Sequence, residues 1–173
     1  MPARHPALPR LWLMTDERMG DGLFAALAGL PKGSGVIFRH YGLSKRARVV
    51  LLRQVEKVSK ARRLVLLVGG RDHHRRFGAV TAPVHSIPER IAAERAGARL
   101  LFVSPVHPTR SHTGARALGR VRFGLLIQGA RAPVIALGGM TGKRFRALSA
   151  FKPDGWAAID GLSQRQKRKA VPT

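Results

Sequence analysis

The sequence predicts an α/β fold, a barrel of parallel strands lacking one βα unit, on three observations. Seven short apolar runs alternate with helix-like stretches, no hairpin signal of the Asn-Gly kind interrupts them, and polar residues stand just after nearly every run. Repeated βα units imply a parallel sheet with right-handed crossovers. An open doubly wound sheet gathers its polar loops at one switch point, whereas a barrel brings every strand end to one mouth. Asp16, Arg39 and His40, Gly69 and Gly70, His85, the loop SPVHPTRSH, Gly138 and Gly139, and Asp160 all follow apolar runs, which favours the barrel.

Leu11 to Thr15 reads as the first strand, and Asp21 to Leu30 as a short helix stopped at Pro31, Lys32 and Gly33. Val36 to Phe38 is the second strand. Ser44 then caps a long helix with Ala47, Val50, Leu51, Val55 and Val58 as its buried stripe and Lys45, Arg48, Arg53, Lys57 and Lys60 mostly off it. Leu64 to Val68 is the third strand. Arg71 to Gly78 is too short and polar for more than a turn of helix, and Ala79 to Val84 follows as a strand that Pro83 confines to an edge. Ser86-Ile87-Pro88-Glu89 is a capping box opening a helix that runs to Gly97. Leu100 to Val103, apolar on both faces, is a covered parallel strand feeding Ser104 to His112. Val121 to Gly129 is a helix, Pro133 to Leu137 a strand, Thr141 to Phe151 a helix and Gly155 to Ile159 the last strand.

Eight βα units usually need about 200 residues or more, and the chain has 173. Seven strands are therefore expected, with the barrel incomplete or locally closed around residues 71–83. A gap exposes two strand edges, a liability that a partner subunit can cover, so a homodimer is an expected partner. The expected organisation is an extension over 1–10, one barrel over 11–162 and a basic tail over 163–173.

Composition narrows the function classes. Without cysteine there are no disulfides, thiolate metal sites or cysteine nucleophiles. No apolar run is long enough for a membrane span or a secretion signal, so a cytoplasmic protein with no membrane partner is expected. The chain carries 32 Lys and Arg against 9 Asp and Glu, a net charge of +23 that attracts anions without choosing among them. A nucleic-acid partner rests on that charge alone, with no aromatic platform or nucleic-acid motif, and ranks last. His73, His74, His107 and His112 lack the carboxylate company and spacing of a metal site, so no metal ligand is assigned.

Leu13-Met14-Thr15-Asp16, Phe38-Arg39, Val84-His85-Ser86, Ser104 to Thr109 and Ala136-Leu137-Gly138-Gly139-Met140 occur in that order. In these segments the chain resembles the thiamine phosphate synthase and thiazole tautomerase (TenI-like) family of TIM-type (β/α) barrels, over roughly residues 11 to 162. The resemblance implies thiamine biosynthesis: the family synthase joins a hydroxymethylpyrimidine diphosphate to a carboxythiazole phosphate, with magnesium. It also implies a small phosphorylated metabolite as partner, bound at the barrel mouth.

Several positions depart from that pattern. Tyr41 stands where the lysine after Arg39 belongs, Gly69-Gly70 replaces an Asn-Asp pair whose aspartate helps hold magnesium, and the unit carrying a second magnesium aspartate is missing. Pro83 replaces a phosphate-contacting serine, His112 a lysine, and Asp160 a serine. No cofactor is therefore evident. A phosphate site survives in Arg39, Thr109, Ser111, His112, Gly138 and Gly139: arginine offers a planar fork, the hydroxyls donate, and the glycines admit backbone amides at the start of a helix. His85 matches the histidine that the resemblance makes the proton-transfer group of the tautomerase, a reaction that needs no metal. Two alternatives stand beside an enzyme of this family: a member that binds a phosphorylated ligand without turnover, and the nucleic-acid module.

Overall fold

The structure, a computed structural model, describes residues 8–69, 81–109, 116–159 and 162. Among them seven strands form one parallel sheet: β1 (Leu11–Met14), β2 (Gly35–Phe38), β3 (Val65–Val68), β4 (Ala82–Val84), β5 (Leu101–Val103), β6 (Val134–Ala136) and β7 (Gly155–Ala158). Between them run α1 (Gly22–Ala28), α2 (Lys45–Arg62), α3 (Ile87–Arg95), α4 (Gly119–Ile127) and α5 (Gly142–Arg146), with single 3-10 turns at Glu17–Met19 and Ser149–Phe151.

The spatial order is β3-β2-β1-β7-β6-β5-β4. The first strand lies beside the last, with Trp12 paired to Ala157, while consecutive strands pair elsewhere. This is the cyclic order of a barrel, broken once, between β3 and β4. The curl is visible in the packing. β1 and β5 are three places apart in the order, so a flat sheet would hold them about 14 Å apart. The Trp12 and Phe102 rings nevertheless meet edge to face at 5.7 Å. Trp12, Met14, Ile37, Phe102, Ile135 and Ala157 fill the inside of the curl as one buried cluster. Two further clusters lie outside it: Leu13, Leu27, Val36, Phe38 and Val55 under α1 and α2, and Val103, Phe123, Ala136 and Leu148 under the later helices.

The seven-stranded barrel type with a unit missing is thus what the chain builds, as a curled half-barrel. Pro83 sits on a terminal strand, as its missing donor requires. The N-terminal extension before Leu8, the 71–80 segment and the basic tail lie outside the described residues.

Two details correct the sequence reading. On α2, Ala47 and Val50 face solvent, Val50 at 52% exposure, and the inward stripe runs from Arg48 through Leu51, Leu52 and Val55 to Ser59. The helix is rotated because Arg48 reaches under it to the ends of two strands. The stretch expected as one helix from Thr141 to Phe151 splits into α5 and a 3-10 turn. Tertiary packing decides this: Phe145 stacks on Trp156, Leu148 is fully buried, and Phe151 lies against Gly124, where a Cβ would come within 2.3 Å of its ring. Among the described residues no helix is long and apolar enough to cross a membrane.

Candidate functional site

The carboxyl ends of the strands carry two groups of polar side chains. The first spans β1, β2 and β3. Asp16 follows β1 and caps the 3-10 turn, accepting from the Arg18 amide at 3.1 Å and from Arg18 Nε at 2.6 Å. Its other oxygen accepts from Arg39 Nη2 at 2.8 Å. The Arg18 hydrogen bond, helped by both arginine charges, holds the carboxyl below its ordinary value against the opposing effect of burial. Thr15 Oγ1 accepts from the Arg39 amide at 3.0 Å and lies 3.0 Å from His40 Nδ1. His40 is buried, stacked on Phe38 at 5.0 Å, and held below the usual imidazole range by loss of solvent.

Arg48 ties this group together. Its Nε donates to the Arg39 carbonyl at 3.1 Å and its Nη2 to the Gly69 carbonyl at 2.7 Å, while the guanidinium lies over the Phe38 and Tyr41 rings. One side chain therefore joins the ends of β2 and β3. Sequence reasoning passed it over as a solvated helix charge. Its signal was the spacing: Arg48 lies seven residues before the buried Val55, on the same helical face.

The second group spans β4, β5 and β6. His85 follows β4, exposed at the lip of the sheet, and its Nδ1 lies 2.6 Å from the Ser104 carbonyl oxygen. A carbonyl only accepts, so Nδ1 carries the proton and Nε2 of the neutral ring keeps its lone pair. The His85 backbone is fixed as well, its amide donating to Glu89 Oε2 at 2.9 Å. Pro105, which follows Ser104, packs on Gly138: a Cβ on that glycine would fall 2.7 Å from Pro105 Cα. Gly138 and Gly139 have φ of 94° and 58°, and the His107 amide donates to the Gly138 carbonyl at 3.1 Å. Thr109 is half-buried at the end of this loop.

The expected site residues thus divide. His85, Gly138 and Gly139 meet the β5 loop, which also carries Thr109, and Arg39 stands in the other group, engaged with Asp16. Ser111, His112 and Asp160 lie outside the described residues. The helix after the glycine pair has five residues, so its dipole adds little, and any anion attraction there rests on the loop itself.

Comparison with known proteins bears on the same segments. A family model described as thiamine monophosphate synthase matches residues 71–162, more than half of the chain. The thiamine-phosphate synthase of Geobacillus thermodenitrificans is 35% identical over 90 residues, and that of Pyrococcus furiosus 30% over 93. These matches take in 50% and 53% of this chain but 40% and 45% of the relatives, so the matched stretch spans less than half of their length. Among solved structures, thiamine phosphate pyrophosphorylase from Pyrococcus furiosus superposes with a TM-score of 0.78 at 21% identity, covering 95% of this chain and 92% of that one. An N-acetylmannosamine-6-phosphate 2-epimerase from Clostridium perfringens, at 11% identity, covers 98% of this chain and 95% of that one with a TM-score of 0.60. Both likenesses speak for the fold. The matched half carries the His85 strand, the β5 loop and the glycine pair, and on that stretch the chain belongs to the thiamine monophosphate synthase family.

Proposed function

We propose that this chain serves thiamine biosynthesis by binding a thiazole phosphate or thiamine phosphate type ligand at the carboxyl ends of β4 to β6, where His85 transfers a proton. The bond from His85 Nδ1 to the Ser104 carbonyl carries this reading. It ties the ring to the loop that packs against the glycine pair and leaves Nε2 as the base. Nε2 takes a proton from one position of the bound thiazole and returns it at another, an isomerisation without change of oxidation state. Glycines without a Cβ let backbone amides approach the phosphate, and the Thr109 hydroxyl adds a donor.

The described donors do not fit magnesium. The cation needs hard oxygens free to converge, yet Asp16 is engaged by Arg18 and Arg39, Glu17 by the Gly42 amide, and Glu89 by His85 and Ser86. Proton transfer at His85 needs no metal, which favours the tautomerase branch over the synthase reaction. The Asp16–Arg39 pair favours a second reading, a family member that binds its phosphorylated ligand without turnover, because it engages an arginine expected on the ligand.

The test is isomerisation of a carboxythiazole phosphate tautomer, followed by NMR in deuterated solvent. Activity lost in His85→Ala with phosphate binding retained supports the assignment. Equal activity in that variant sinks it. Binding without isomerisation by the unaltered protein selects the second reading, and thiamine phosphate formed from both synthase substrates with magnesium would restore the synthase.

A further inference from the structure

The amino ends of β5 and β6, opposite the ends that carry the histidine and the glycine pair, border a cavity of about 720 Å³. Arg90 and Arg95 from α3, Arg99 ahead of β5 and Arg131 ahead of β6 line it, with Glu94 as its one acidic residue. The glutamate is fully engaged. Its Oε2 accepts from Arg90 Nη1 at 3.2 Å, and its Oε1 accepts from the Arg131 amide at 2.6 Å and the Ala132 amide at 3.2 Å. These bonds tie α3 to the loop entering β6, so two walls of the cavity are braced against each other.

Arg90 is built into the wall. The residue is 8% exposed, and its Nη1 also donates to the Gly129 carbonyl at 3.1 Å. Its Nε is closed off from solvent, whereas Nη2 has no partner among the described residues and stays open to solvent. A buried guanidinium needs a counter-charge, which Glu94 supplies. Arg95, Arg99 and Arg131 are then left unbalanced: all three are exposed, and their guanidiniums make no hydrogen bond or ion pair among the described residues. Like charges around a recess focus their field into it, and an anion relieves their repulsion.

We propose that this cavity is a second anion site, separate from the one at the carboxyl ends, and that it takes a compact polyanion of the diphosphate class. A single phosphate group brings at most about two charges to three unbalanced guanidiniums, whereas two linked groups offer more charge and more oxygens to planar forks. A bare diphosphate suits the lining better than a nucleotide does. No aromatic residue borders the cavity for a base to stack on, and Glu94 is not free to accept from a ribose.

Calorimetric titration of the full chain with inorganic diphosphate, at fixed ionic strength and without divalent cations, tests it. Because Arg90 also holds Glu94, the outer arginines carry the test. Arg99→Gln and Arg131→Gln should each weaken binding about tenfold, the scale of a charge-assisted hydrogen bond, and the double variant should abolish it. Arg131→Lys should recover part of the loss. Arg53→Gln with Lys57→Gln, exposed on α2 away from the cavity, should bind as the unaltered protein does. The site is overturned if the unaltered protein binds no diphosphate, if the double variant binds it normally, or if the α2 variant loses as much as the double variant, which would mark general attraction to charge. Tighter binding of a nucleoside diphosphate or of inorganic phosphate overturns the ligand class. Circular dichroism of each variant separates lost binding from lost fold.

Discussion

Gly35 shows how a single residue shapes the interior. Trp12 turns its indole across β2, with Nε1 donating to the Pro9 carbonyl at 2.6 Å, and a Cβ on Gly35 would fall 2.1 Å from the indole ring. Gly35→Ala is expected to cost about 1–3 kcal/mol through overpacking, seen as a lower urea midpoint with altered tryptophan fluorescence. His40 and Asp16 set the acid response. His40 is held below its ordinary value of 6.5 by burial, so the unfolded chain binds the proton more readily. Its contribution to stability is present above pH 6.5 and is lost as pH falls through the depressed folded value. Asp16, below its ordinary 3.8, adds a second loss at lower pH, on protonation of the carboxylate held by two arginines. Denaturant midpoints from pH 7.5 to 5 should fall, and His40→Asn should flatten that slope. An unchanged slope would remove His40 from the account; His107, depressed in the same direction, supplies the remainder.

At the scale of elements, the caps do more than start helices. Ser86 Oγ accepts from the Glu89 amide at 3.3 Å, as the capping pattern predicts, but the glutamate reaches past Ser86 to the His85 amide. The start of α3 is thereby welded to the residue proposed for proton transfer. Ser86→Ala should cost about 1 kcal/mol in chemical denaturation. Glu89→Ala should in addition quicken hydrogen exchange of the His85 amide, a readout that loss of helix stability elsewhere would not single out. Across the sheet, Arg48 plays the corresponding part for α2, bonded to the Arg39 and Gly69 carbonyls.

For the whole molecule the consequence of a missing unit is a sheet with two ends. Ala82 donates to Leu100 and Val84 accepts from Ser104, so in β4 the intervening Pro83 turns its nitrogen away from β5, toward the side that no described strand occupies. Proline there removes the edge N–H that another strand would seek. Pro83→Val is expected to raise self-association with concentration, measured by light scattering after size-exclusion chromatography. An unchanged mass across the concentration range would show that this edge is covered by other means. The high positive charge also opposes association of copies, so added salt should strengthen whatever association the variant gains.

Much of this was legible in the sequence because it is local or periodic. Strand and helix positions follow from apolar runs, Ser44 and Ser86 from cap chemistry, and the edge character of β4 from Pro83, since each depends on a few neighbouring residues. The missing unit could be read from chain length and from the polar stretch before β4. What only the tertiary structure decided concerns residues that meet across the sheet. Arg48 reaches the Gly69 carbonyl from 21 residues away, Asp16 engages Arg39 from 23, and the Ser104 carbonyl chooses the tautomer of His85 from 19. Val50 likewise looked buried until the rotation of α2 was known. A one-dimensional pattern sets which way a side chain points along its own element, but its partner is chosen by the curl of the sheet, which brings together residues that no local rule relates.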